Sequence, residues 1–232
     1  MPKAALDRRT RMAQQTRGEI LIAARRLFTE RGYAATSIND IAEEADVAVQ
    51  TIYARLGSKR GMLIALIDLI DQEAGVELLV EQVQSASTPF KTLSAGVRLT
   101  RVFQERCGDI IGALFSAAGA EPELADAVAE GQRRHREGAR ITIDRIHHLD
   151  GLRDDVHPEC AQALFALSTS HEAWRELIHN YKLGWDDAEA WLTDALARAL
   201  LRHAPKATKH LPPRESRSVD INPNRPASRQ ES

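Results

Sequence analysis

Between Thr16 and Ser58 the chain alternates short apolar-striped segments with the residue types that stop and start helices, and this punctuation leaves little choice of fold. Ile20, Ala23, Ala24, Leu27 and Phe28 recur at the spacing of one buried helix face. Gly32 follows Arg31 directly, where a left-handed residue can close a helix without a Cβ penalty. Thr36 and Ser37 carry hydroxyls able to cap a second helix, with Ile38, Ile41, Ala42 and Ala45 on its inner face. Asp46 and Val47 form a short turn. A third helix then runs from about Ala48 to Leu56, anchored by Ile52 and Leu56. Gly57 and Ser58 break it, and Ser58 can cap a longer fourth helix that starts near Lys59. Three short helices with a tight turn between the second and third predict a helix-turn-helix.

The rest of the chain reads as helix after helix, punctuated at Pro89, Gly108, Pro122, Gly151, Pro158 and Gly184. Ala161, Leu164, Phe165, Leu167 and Trp174 mark one apolar stripe. Ala188, Trp191, Leu192, Ala195, Leu196, Ala199 and Leu200 mark the last. Aromatic residues are scarce, helix formers such as Ala, Leu, Arg and Glu are plentiful, and no sheet-like alternation appears, so the predicted class is all-α. Four regions follow: a basic flexible arm over 1–15, the helix-turn-helix domain over 16–62, a larger helical domain over 63–203, and a tail over 204–232. The tail holds Pro205, Pro212, Pro213, Pro223 and Pro226 among polar residues and is expected to be disordered.

Charge is divided along the chain. Residues 1–60 hold 11 Lys or Arg against 7 Asp or Glu, residues 61–205 hold 14 against 23, and residues 206–232 hold 6 against 3. A basic head on an acidic body suggests that the head faces a polyanion. The outer face of the third helix carries groups that suit the major groove. A Gln can bond adenine bidentately, an Arg can bond guanine, and Ala, Val or Thr methyls can meet the thymine methyl.

The run Thr16-Arg17, Ile20, Ala23-Ala24, Leu27-Phe28, Gly32-Tyr33-Ala34-Ala35-Thr36-Ser37, Ile41-Ala42, Ala45, Val47, Thr51-Ile52-Tyr53 and Ser58-Lys59 closely resembles the TetR/AcrR family of repressors, without a gap. A weaker resemblance continues at Gly184-Trp185, Trp191-Leu192, Leu196 and Leu200-Leu201, which looks like the closing helix of many members. The resemblance implies a homodimeric transcriptional repressor on near-palindromic double-stranded operator DNA, released by a small-molecule effector and working in the cytoplasm at the nucleoid. It assigns Ala48, Val49 and Gln50 to the base-reading start of the third helix, with Thr51 and Arg55 beside them. Tyr53 and Lys59 become phosphate contacts, and Thr36 and Ser37 hold another phosphate at the start of the second helix. Where the family often has a small Gly, this chain has Gln50, and the usual Tyr-x-His-Phe run appears as Tyr53-Ala54-Arg55-Leu56. These departures bear on the operator sequence. Leu99, Phe103, Leu114, Phe115 and Phe165 are candidate effector-pocket residues, though core packing explains each equally well. Leu164, Trp191, Leu192, Ala195 and Leu196 are candidate dimer-interface residues.

Other features read more plainly. Arg133, Arg134, His135, Arg136 and Arg140 form a basic run that Glu130 and Glu137 can neutralise at helical spacing. His147, His148, His171 and His179 lack metal-ligand spacing, and Cys107 and Cys160 lack a partner motif, so no metal or cofactor is expected and both thiols read as buried and inert. There is no apolar leader, no membrane-length apolar run, no nucleophile elbow, no phosphate loop and no zinc-protease motif, so nothing positive points to an enzyme.

Overall fold

The computed structural model describes residues 2–119 and 121–205. The expected tail therefore lies outside the described residues from 206 onward. Among the described residues there are ten α-helices and no β-strand. The first four are α1 (Pro2–Arg31), α2 (Ile38–Glu44), α3 (Val49–Leu56) and α4 (Lys59–Ala74). The larger set is α5 (Val76–Ser85), α6 (Pro89–Ala118), α7 (Ala125–His148), α8 (Pro158–Ser168), α9 (His171–Arg175) and α10 (Trp185–Leu200). A 3₁₀ turn over Pro122–Leu124 precedes α7, and a π turn over Glu176–Asn180 follows α9.

The punctuation acts largely as its chemistry requires. Gly32 takes φ +82° and ends α1. Ser58 caps α4 by accepting from the Gly61 amide at 3.0 Å, and Thr88 caps α6 with Pro89 in its first turn. Two expectations fail. Gly108 lies inside α6, where an unbroken stripe of buried contacts outweighs the modest helix cost of one glycine. α1 starts at Pro2, not near Thr16, so the basic stretch is drawn as a helical extension of the head.

Two apolar cores hold the chain. The first gathers Ile20, Leu27, Phe28 and Tyr33 of α1 and its exit, Ile41 and Ile52 of the helix-turn-helix, and Met62, Leu63 and Leu66 of α4. It does not close at residue 62, because Cys107, Ile110, Leu114 and Ala117 of α6 belong to it too. The second core joins Leu93 and Val97 of α6 to Ile143, Ile146, Phe165, Trp174, Leu192, Leu196 and Leu200. α6 is thus a spine shared by both. Its glycine at 96 lets α7 and α8 come close: a Cβ there would sit 2.6 Å from Thr142 Cγ2 and 3.1 Å from Phe165 Cζ. The exit of α10 is tied to the body by a β-bridge between Leu152 and Leu201, flanked by Arg202 N–H donating to the Gly151 carbonyl at 2.9 Å. No helix among the described residues is long and apolar enough to cross a membrane.

Candidate nucleic-acid interface

α3 is the element whose outer face is open. Ile52 is fully buried, and Val49 and Leu56 pack against the first core, so one face of this short helix is fixed. Ala48 is its N-cap and is exposed, and Gln50, Tyr53, Ala54 and Arg55 face solvent, with Tyr53 53% exposed. The rise between residues 50 and 54 is about one turn, so these side chains form one patch. Thr51 is half-buried beside it. Val49, expected among the base readers, leans instead on the core, because position 49 falls on the same side as Ile52 and Leu56.

The flanking residues are used differently from their expected roles. Thr36 is 2% exposed, and its hydroxyl donates to the Gly32 and Leu27 carbonyls at 2.9 and 3.2 Å. It ties α2 to the end of α1 instead of capping, and its side chain cannot turn outward without breaking both bonds. Ser37 alone is the cap, within a reciprocal box: its hydroxyl accepts from the Asp40 amide at 3.1 Å, and its own amide donates to Asp40 Oδ2 at 2.7 Å. The Ser37 hydrogen bonds hold the Asp40 carboxyl below the usual carboxylate range. The Ser37 hydroxyl and amide are thus both engaged with Asp40. Lys59 is half-buried, donates to the Tyr33 and Thr36 carbonyls at 2.9 and 3.1 Å, and stands 4.2 Å from the centre of the Tyr33 ring. Its first duty is to brace the turn between α1 and α2.

Side chains missed by sequence reasoning fasten this head to the spine. Arg25 grips the Asp109 carboxylate through two nitrogens at 2.6 and 2.8 Å. Tyr33 donates its hydroxyl to Glu121 Oε1 at 2.7 Å, and burial, aided by Glu121, pushes the phenol pKa upward. The partners are more than eighty residues apart in sequence, and no local pattern announces them.

The expected effector-pocket residues do not converge. Leu114 is buried in the first core and Phe165 in the second, Leu99 and Phe103 are half-buried, and Phe115 stacks on His171 with ring centres 5.6 Å apart. None lines either of two surface cavities. One, of about 300 Å³, lies between α6 and α10 and is walled by Arg98, Arg101, Asp186, Glu189 and Asp194 among others. The other, of about 500 Å³, lies around the loop between α7 and α8. The expected interface residues divide as well. Leu192 and Leu196 are buried in their own subunit, Ala195 is half-buried, and Leu164 and Trp191 are 40% and 39% exposed. Of the two thiols, Cys107 is buried as expected, whereas Cys160 is exposed on α8. Three arginines of the basic run are paired within α7, Arg133 and Arg134 with Glu130 and Arg140 with Glu137 and Asp144.

His171 carries a pH prediction. Its Nδ1 meets Gln104 Oε1 at 2.8 Å, and burial lowers its pKa; Glu172 opposes that shift, while Arg175 and His179 add to it. Below the ordinary histidine range the unfolded chain binds a proton that the folded chain resists. Stability is therefore present above that range and is lost as pH falls through it. The urea midpoint should fall more between about pH 7 and about pH 5 for the wild type than for His171→Gln. Equal falls would remove His171 from the account.

Residues 20–66 match the model of the bacterial regulatory proteins of the tetR family. Over those residues the chain is similar to the TetR family. The regulator TtgR of Pseudomonas putida is 42% identical over 60 residues, which cover 26% of this chain and 29% of that one. The chain thus matches less than a third of the length of that relative. TcmR of Streptomyces glaucescens is 28% identical over 162 residues, covering 68% of this chain and 71% of TcmR. The TetR-like fold extends further than the sequence identity. A transcriptional regulator from Saccharomonospora viridis, solved with choline, superposes with a TM-score of 0.68 at 18% identity, over 82% of this chain and all of the other. SmeT, solved with triclosan, gives 0.66 at 16% identity over 85% of this chain and 99% of SmeT.

Proposed function

We propose that this protein is a DNA-binding transcriptional repressor that occupies a near-palindromic operator as a homodimer and lets go when a small molecule binds. The observation that carries this reading is the open face of α3, with Gln50, Tyr53, Ala54 and Arg55 exposed on a helix that a helix-turn-helix presents to solvent. Gln50 and Arg55 have the chemistry to read base edges, and Tyr53 can donate to a phosphate. Pairing is supported by a second exposed strip. Cys160, Ala163, Leu164 and Leu167 of α8 share one helical face, and Trp191 of α10 is exposed as well. A second copy covering that strip would set two α3 helices about one DNA turn apart.

Effector release is supported by the likeness to proteins solved with choline and with triclosan, and by the shared spine. A ligand that fits better when α6 shifts would draw Arg25 and Tyr33 with it, through Asp109 and Glu121, and change the set of the heads. The protein would act in the cytoplasm, at the nucleoid, and carry out no chemistry of its own.

Binding of operator duplexes followed by fluorescence anisotropy tests the role of α3. Tyr53→Ala should weaken all sequences about tenfold or more, whereas Gln50→Ala should change which base pairs are preferred. If both variants bind every duplex like the wild type, α3 is not the reading helix.

A further inference from the structure

From Gly18 to Arg60 the helix-turn-helix carries no net charge, and Arg17 adds a single positive charge ahead of it. Residues 18–60 hold six Lys or Arg and six Asp or Glu. Most of the six cations are already engaged: Arg25 with Asp109, Arg26 with Glu44, Arg31 with Asp40, and Lys59 with two carbonyls. Yet affinity for a duplex depends on neutralising phosphates, and an uncharged module gains little from that source. The positive charge of the head lies earlier. Residues 1–17 hold Lys3, Arg8, Arg9, Arg11 and Arg17 against the single acid Asp7.

That segment is helical: α1 runs without a break from Pro2, and from Thr10 onward its first buried residue is Ile20. From Thr10 to Glu19 every residue is exposed or half-exposed. The helix ahead of Ile20 is about 27 Å long. It also lies toward the correct end of the module. Asp40 pairs with Arg31 and Glu44 with Arg26, so α2 runs antiparallel to α1. The turn after α2, and with it the start of α3, is therefore displaced toward the N-terminal half of α1.

We infer that the N-terminal extension of α1 is a second DNA contact that follows the phosphate backbone beside the groove entered by α3 and supplies most of the electrostatic affinity. This rests on the proposed DNA-binding function. In this division of labour α3 selects sequence, and Lys3, Arg8, Arg9 and Arg11 hold the duplex whatever its sequence.

The test measures the affinity of full-length protein for a random-sequence duplex of about three helical turns, from about 50 to about 200 mM salt. It compares the wild type with a variant carrying K3Q, R8Q, R9Q and R11Q, and with R133Q/R134Q as a control that removes charge from α7. Circular dichroism and thermal unfolding establish that each is folded. The quadruple variant should lose about two to four units of the slope of log affinity against log salt, at about 0.9 per lost phosphate contact, and bind at least about tenfold more weakly. The α7 control should keep the wild-type slope. An unchanged slope in the quadruple variant, or an equal loss in the control, overturns the inference. A wild type that binds no duplex even at the lowest salt would instead defeat the DNA-binding reading itself.

Discussion

Replacing Trp174 with alanine should lower the free energy of unfolding by about 3–5 kcal/mol. Trp174 is 1% exposed and stands where α9 meets α6 and α10, in the second core. Its ring lies 5.7 Å from that of Trp185 at a tilt of 37°, an arrangement that aromatic quadrupoles favour. Its indole N–H donates to Thr100 Oγ1 at 3.2 Å, and the Thr100 hydroxyl donates in turn to the Val97 carbonyl at 2.8 Å. Truncation would leave a cavity that helices fixed at both ends cannot close. Urea unfolding should show a lower midpoint with an unchanged slope. The related change Thr100→Val keeps the shape but strands the indole N–H, and should cost about 1–3 kcal/mol. A loss below about 1 kcal/mol for Trp174→Ala would mean that α9 is not packed as described.

Replacing Gly61 with alanine should damage the head more selectively. A Cβ at this position would fall on the Leu56 carbonyl oxygen, which is backbone and cannot swing aside. Leu56 is the last residue of α3, and the Gly61 amide donates to the Ser58 cap of α4. The clash would push the end of α3 away from the start of α4, at an expected cost of about 1–3 kcal/mol or more. Ile52 and Leu56 would lose their fixed seats, so operator affinity should fall together with thermal stability. Hydrogen exchange should show the loss of protection concentrated in α3 and the first turn of α4, with α7 to α10 unchanged. A Gly61→Ala protein of wild-type stability and affinity would contradict the tight junction.

The helix-turn-helix was legible in the sequence because its determinants are local. Gly32, Ser37, Gly57 and Ser58 act within four residues of themselves, and the stripe from Ile20 to Phe28 needs only helical periodicity. What was not legible depends on contacts between distant residues. Thr36 looks like a second cap beside Ser37 until the carbonyls of Leu27 and Gly32 are seen to take its hydroxyl. That Lys59 also braces the turn after α1 shows only once that turn is folded against it. The apolar stripe of α10 is wide enough to face two ways, and only the packing shows that Leu192 and Leu196 turn inward while Trp191 stays at the surface. Leu99, Phe103, Leu114, Phe115 and Phe165 are apolar residues of the middle helices, and apolarity alone does not distinguish core from pocket. Gly108 shows the same limit in reverse, because a helix buried along its length tolerates a residue that would weaken an exposed one.

The central claim is that α3 selects a DNA sequence. The most direct measurement is selection of genomic fragments in vitro by the purified full-length protein, with Tyr53→Ala run in parallel. The account predicts one short inverted repeat, its half-sites about one helical turn apart, recovered by the wild type and lost or strongly depleted with Tyr53→Ala. Failure to enrich any motif at low salt, or the same motif recovered equally well by both proteins, would contradict it.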